Sequence, residues 1–257
     1  MKIGACVSFK NIELAKKIGY DFVELSAVEM MTFSKNEWIQ IKKQIKASGQ
    51  PVIGFNSFCD STYPIVGPYV DFKKLKEYFD EVLYRAYELN CRNIGIGAPK
   101  ARVLPDEYPY RQALQQMYTF LEYAGTQAGY AGINILFEAL HPQSCNFCNH
   151  SKEAYSTVEL VNKDNVLMVW DLYHAMNAGE SIKEVASVIQ KIHHVHICSW
   201  DKYFNRYYPK KDNNMLLLQL FSILKELGYD STISIEAKDK NFEVIGKTSL
   251  SLVKDML

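Results

Sequence analysis

The sequence has no long hydrophobic run. Its first stretch, MKIGACVSFKNIEL, holds one basic residue before a short apolar segment, and charges follow at once. A membrane-crossing helix needs about 20 apolar residues, and a secretory leader needs a basic start with a longer apolar core. Neither a membrane span nor a signal peptide is expected. Charge of one sign is also not in excess, since Lys+Arg and Asp+Glu both number 29 and the net charge is zero. Such a chain has no overall field to attract nucleic acid or an anionic membrane, although a local basic patch stays open. Low-complexity segments, short repeats and obvious linkers are missing. The six cysteines are Cys6, Cys59, Cys91, Cys145, Cys148 and Cys198. Without a secretion signal they read as reduced thiols rather than a disulfide framework, and the expected compartment is the cytoplasm. Cys145 and Cys148, with His150 nearby, have the look of half a zinc site. No second cysteine pair stands at a suitable spacing, so loop thiols are expected.

The chain has 257 residues, 48% of them hydrophobic and 23% charged, which is enough for a large core. Eight short apolar, β-branched runs recur: 3–8, 22–27, 51–58, 93–99, 134–140, 166–172, 193–199 and 232–237. Helical periodicity fills the gaps, most clearly over 71–90, 111–129 and 216–228. Gly19, Gly49, Gly129 and Gly228 fall where helices would end. Continuous apolar runs suit strands buried on both faces. Alternation of strand and helix suits a parallel α/β fold, and eight units in this length suit one (β/α)8 TIM barrel domain spanning 1–257. An open doubly wound sheet usually carries a Gly-rich phosphate turn after its first strand, and ACVSFKN has none.

The run VLMVWDLYH (166–174) is built for a dry interior yet ends on Asp171 and His174. An unpaired ionised group there is costly. The pattern repeats. Strand five ends in Glu138, strand seven carries His196 and strand eight ends in Glu236. In a barrel those strand ends converge on one mouth, where catalytic residues gather. Three carboxylates and an imidazole brought together are held by a divalent cation. The oxygen-rich donor set suits Mn2+ first, or Mg2+, while the histidine also admits Co2+ or Zn2+. Any one of these groups taken singly is better explained by a local partner or by solvent, and the pattern of four carries the reading.

The segments FEALHP, WDLYHA, HHVHICSWD and ISIEAK resemble the xylose-isomerase-like barrel superfamily, and within it the sugar phosphate isomerase/epimerase group that includes ketose 3-epimerases. The resemblance covers almost the whole chain, including FVELSA and ARVLPDEYPYRQAL. It implies that Glu138, Asp171, His196 and Glu236 bind one metal ion, that Glu138 and Glu236 form an acid/base pair, and that His174 contacts a substrate oxygen. Two glutamates on opposite faces of a carbon next to a ketose carbonyl would invert that centre. One glutamate acting alone would give ketose–aldose isomerisation, and the sequence leaves both open.

Further candidates are weaker. Arg102 lies in a loop that the family also carries and is a candidate substrate anchor, against a solvated arginine. Asn149 either orients Glu138 or shapes a turn. Glu24, ending strand two, either pairs below the substrate or is structural. His194 shares the face of His196 one layer deeper, while His193 falls at the strand entrance and Trp170 points outward into core. Phe9, Phe58 and Trp200 are candidates for an apolar pocket wall or for packing. The family usually has an acidic residue where Ser144 stands, and an arginine with a glycine turn where this chain reads SWDKYFNRYYPKKDNN. Lys202 and Arg206 are the substrate-binding candidates there. With Lys210 and Lys211 they form a cluster suited to a phosphate or acid group, or to solvent.

Alternatives remain. The superfamily includes apurinic-site endonucleases, which need several extra histidine ligands, some from early strands. All six histidines here lie between His141 and His196, so no nucleic-acid partner is expected. A dehydratase acting on a keto-inositol would use the same proton removal, and a non-catalytic sugar-binding barrel would keep the fold. A small sugar is the expected partner. Family members often pair through their helices, which leaves a homo-oligomer open.

Overall fold

The computed structural model describes residues 1–212 and 214–257. Each of the eight apolar runs becomes a strand of one closed barrel. Seven come first: β1 (Lys2–Cys6), β2 (Phe22–Ser26), β3 (Val52–Asn56), β4 (Asn93–Ile96), β5 (Asn134–Glu138), β6 (Val166–Asp171) and β7 (Ile192–Ile197). A short antiparallel hairpin, β8 (Ser199–Trp200) and β9 (Arg206–Tyr207), then rises from the β7 loop, and β10 (Thr232–Ile235) is the eighth stave. The order around the barrel is β1-β10-β7-β6-β5-β4-β3-β2, and every neighbouring pair is parallel. The expected (β/α)8 architecture is therefore the observed one.

The outer ring consists of α1 (Ile12–Ile18), α2 (Ala27–Met31), α3 (Lys35–Ser48), α4 (Phe72–Glu88), α5 (Tyr110–Tyr130), α6 (Ser151–Val161), α7 (Leu172–Asn177), α8 (Val185–Val188), α9 (Met215–Glu226) and α10 (Phe242–Met256). No helix among the described residues is long and apolar enough to cross a membrane. Local chemistry sets the helix ends. Asp71 caps α4 by accepting from the Lys73 and Lys74 amides, and Ser34 with Glu37 forms a reciprocal capping box on α3. Leu75, Phe79, Val82 and Ala86 turn the buried face of α4 inward. Gly19, Gly49 and Gly228 follow their helices with positive φ, as expected. Gly129 does not. It lies inside α5, which runs on to Tyr130 before Gly132 takes the left-handed turn at φ 67°.

Two layers make the core. Helix faces pack on the outside of the strands, where Trp170 is buried as expected. Inside, the barrel is filled by side chains, and Gly4 shows how tightly: a Cβ there would lie 2.1 Å from the Phe22 ring. This closed lower interior leaves the C-terminal mouth as the place where polar groups gather.

Candidate active site

Strand alternation and barrel closure bring Glu138, Asp171, His196 and Glu236 together. Each offers one donor atom, and these four atoms lie within 4.8 Å of one another. They come from β5, β6, β7 and the residue after β10, which are consecutive around the barrel. His196 is central. Its Nδ1 lies 3.8 Å from Glu138 Oε1 and 3.5 Å from Glu236 Oε2. Both His196 Nδ1 and Glu138 Oε1 are buried with no hydrogen-bond partner. Buried polar atoms are normally paired. Two orphans facing one ion-sized space, lined by hard oxygens and one imidazole, fit a divalent cation.

The question posed by VLMVWDLYH has a structural answer. Asp171 serves two ends at once. Its Oδ1 accepts from the Tyr173 amide at 2.6 Å and the His174 amide at 3.3 Å, capping α7, while Oδ2 faces the cluster. The strand stops on a carboxylate because the helix that follows needs a cap and the mouth needs an oxygen.

Gly97, after β4, makes room for the site. A Cβ on it would come within 2.4 Å of Glu138 Oε2. Nothing in the sequence pattern marks this glycine.

Arg206, on β9, reaches into the mouth. Its guanidinium pairs with Glu236 and lies 3.5 Å from Asp171 Oδ2 and 3.3 Å from His174 Nε2, and it covers the Tyr173 ring at 4.5 Å. A guanidinium only donates, so His174 Nε2 accepts. The electrostatics follow. Burial pushes the Asp171 carboxyl up to about 8, helped by Glu236 and Glu138 and opposed by Arg206. Burial would raise Glu236 as well, but Arg206 and His196 together outweigh it and hold that carboxylate far below its ordinary value. Burial would lower His196, yet Glu24 beside it raises the ring well above its usual range. His174 is driven well down by burial and by Arg206. One carboxyl is thus favoured protonated and another ionised within the same cluster.

Two expectations are corrected. Arg102 does not face the pocket. It is completely buried, donating to the carbonyls of Gly97 (2.8 Å), Glu138 (2.7 Å), Phe147 (3.0 Å) and Cys148 (3.3 Å), with its guanidinium 4.8 Å from the Phe137 ring centre. A guanidinium with four short contacts to carbonyls is a strut, not a substrate anchor. Lys202 is exposed on the hairpin loop, with its ammonium 5.0 Å from the Tyr203 ring centre, and it does not line the cavity at the mouth. Lys210 and Lys211 are exposed too. The basic cluster therefore contributes one member, Arg206, to the site.

The remaining candidates sort themselves. Asn149 clips its own loop by donating to Leu140 O and Cys145 O, at 2.6 and 2.8 Å. Phe58 packs on Tyr78, Phe79 and Phe120, and Phe9 packs on Phe33 and Trp38, so both belong to the core. Trp200 sits edge-on against Tyr173. Cys145 and Cys148 are buried free thiols. Residues not foreseen also appear. His141 Nδ1 is 2.7 Å from His174 Nδ1, and its ring stacks on Phe204 at 5.7 Å. Its place three residues after Glu138 was the available signal. A cavity of about 860 Å3 opens beside the cluster, lined among others by Cys6, Lys10, Asn56, Phe204, Arg206 and, of the four clustered residues, Glu236.

Fold and site together define a (β/α)8 barrel with a candidate divalent-metal centre at the C-terminal ends of its strands. The chain belongs to the xylose isomerase-like TIM barrel family, whose model matches residues 12–255. Among curated relatives it is 28% identical to 2-oxo-tetronate isomerase of Haemophilus influenzae over 170 residues, which are 65% of this chain and 63% of that protein. The alignment thus spans less than two thirds of that relative. It is 23% identical to inosose isomerase of Halalkalibacterium halodurans over 266 residues, covering 96% of this chain and 88% of the relative. Among solved structures, D-psicose 3-epimerase of Clostridium cellulolyticum H10, crystallised with D-tagatose, superposes with a TM-score of 0.85 at 16% identity, covering 100% of this chain and 99% of that one.

Proposed function

We propose that this chain is a divalent-metal-dependent carbohydrate isomerase that moves a proton next to a ketose carbonyl, with epimerisation as the outcome. The observation that carries this reading is the convergence of Glu138, Asp171, His196 and Glu236 within 4.8 Å, with His196 Nδ1 and Glu138 Oε1 buried and unpaired. These four residues would hold the ion, with Mn2+ first and Mg2+, Co2+ or Zn2+ as substitutes. Such an ion supplies charge stabilisation to a carbonyl oxygen as a proton leaves the neighbouring carbon. The isomerase and epimerase names of the relatives agree with this chemistry.

The protein's own residues do the proton work. Glu138 and Glu236 stand on either side of Asp171 and His196 in the barrel order. A substrate carbon held between them meets one carboxylate on each face. One takes the proton and the other returns a proton to the opposite face. Arg206, held between Glu236 and His174, is a cation available to a substrate oxygen. His174, favoured neutral by burial, steadies Arg206 by accepting through Nε2 without adding charge. The packed barrel below keeps bulk water from the reacting carbon.

A second reading is favoured by one observation, the inosose isomerase alignment over 96% of the chain. A cyclic keto-inositol presents the same carbonyl with an adjacent C–H, so the same residues serve. The test is a screen of metal-stripped protein, reloaded with Mn2+, against free ketoses, ketose phosphates and inososes in D2O. The expected result is one epimer pair with deuterium entering at a single carbon, lost on chelation, and lost in Glu236→Gln with its fold intact by circular dichroism. Full turnover in Glu236→Gln removes that residue from the mechanism. A product absorbing in the ultraviolet indicates dehydration instead.

A further inference from the structure

Below the mouth lies a second buried polar group that the proton chemistry does not use. Glu24, on β2, is only 5% exposed. Its Oε1 lies 3.1 Å from His196 Nε2 and 2.7 Å from His194 Nε2, and its Oε2 lies 3.4 Å from His196 Nε2. The far nitrogen of His194, Nδ1, is 2.7 Å from Thr232 Oγ1 on β10. The Cys6 thiol adds a contact to Glu24 Oε1 at 3.8 Å. A line of polar atoms therefore runs across the barrel interior from Thr232 through His194 and Glu24 to His196. It ends on the ring whose other nitrogen, Nδ1, faces the carboxylate cluster with no partner.

A buried carboxylate is an expensive way to fill a barrel, because an apolar residue of similar volume serves stability as well or better. Its geometry gives it a different use. A neutral imidazole carries one proton, and the hydrogen bond made by one nitrogen decides which nitrogen is free to bind an ion. Glu24 only accepts when ionised, so when an ion displaces one His196 proton, Glu24 keeps the other on Nε2 and leaves the Nδ1 lone pair directed at the cluster. Several features hold Glu24 to this task. The β2–β3 register shifts between Val23 and Glu24, a local irregularity of the kind that re-aims a side chain. The His194 ring stands edge-on to His196 at 4.9 Å and to Phe22 at 6.2 Å, which limits its rotation.

We infer that Glu24, with the His194 ring close beside it, is a positioning residue that presents His196 Nδ1 to the divalent ion. This rests on the metal-centre reading above. Partners of this kind typically change metal affinity 10- to 100-fold when removed.

The test uses Mn2+ and Zn2+ alone, without substrate. Isothermal titration of metal-stripped protein with Mn2+ is expected to show binding in the parent, and binding weaker by about 10- to 100-fold in Glu24→Gln. A second measurement needs no variant. In parent protein labelled with 15N-histidine and loaded with diamagnetic Zn2+, long-range proton–nitrogen spectra are expected to show His196 protonated on Nε2 and ligating through Nδ1. Equal Mn2+ affinity in parent and Glu24→Gln overturns the inference and leaves the metal centre standing, whereas a Zn2+-loaded His196 ring protonated on Nδ1 overturns the inference and removes His196 from the ligands as well. Absence of Mn2+ and Zn2+ binding by the parent overturns both.

Discussion

Substitution of Arg102 by methionine separates the structural role seen here from the substrate role suggested by its loop. The side chain is completely buried, and its guanidinium donates to four backbone carbonyls that belong to three segments: the end of β4, the end of β5 and the loop before α6. Methionine fills much of the volume and donates nothing. Cys148 O keeps a second donor, the Leu140 amide at 3.2 Å. Phe147 O keeps the weak Cys145 thiol at 3.4 Å, while Gly97 and Glu138 lose their charged donor outright. At about 2 kcal/mol for each of these two carbonyls, the expected loss of stability is about 4 kcal/mol. For a chain of this size that corresponds to a fall in melting temperature of about 8–16 °C. Urea unfolding followed by circular dichroism, together with calorimetry, measures it. Arg102→Lys is expected to recover only part of the loss, since one ammonium cannot span all four acceptors. A methionine variant with parental stability and a raised KM would refute the reasoning and return Arg102 to the substrate.

Other perturbations follow from the same geometry. Gly97→Ala places a Cβ where Glu138 Oε2 now lies 2.4 Å away. A displacement of roughly 1 Å at a reacting group lowers kcat by about 100-fold. Steady-state kinetics at unchanged melting temperature tests this, and parental kcat in the variant would count against Glu138 as an acid/base group. Glu88, the last residue of α4, reaches α3 and accepts from Lys42, from Trp38 Nε1 at 2.8 Å and from Tyr84 at 3.1 Å. Burial would raise its carboxyl, but these donors, Lys42 foremost, lower it below its ordinary 4.5. A lowered folded-state value means that the stabilisation is present above pH 4.5 and is lost as pH falls through the lower value. Glu88→Gln is therefore expected to cost about 1 kcal/mol at pH 7 and to flatten the acid limb of the stability curve. An unchanged slope between pH 5 and pH 3 in the variant would show that Glu88 is not the titrating group.

The periodicity of apolar runs, read from residue order alone, determined the barrel. Parallel strands covered on both faces must be continuously apolar, and helices between them must be amphipathic, so eight such units admit few other folds. The same reading located Glu138, Asp171, His196 and Glu236, because a charged residue closing an apolar strand is a local anomaly visible in one dimension. It also singled out Arg206, although within a basic cluster whose other members stay in solvent. Only the tertiary structure decided which arginine faces the mouth. Arg102 and Arg206 both sit in irregular loops of mixed composition, and nothing local tells a guanidinium meeting four carbonyls from one meeting carboxylates. Gly97 and His141 matter through neighbours on other strands, at separations that no motif spacing encodes. Glu24 is the clearest case. Its partners, His194 and His196, lie about 170 positions away in the chain and within 3.1 Å in space. Only closure of the barrel, which seats β2 across the interior from β7, creates that contact.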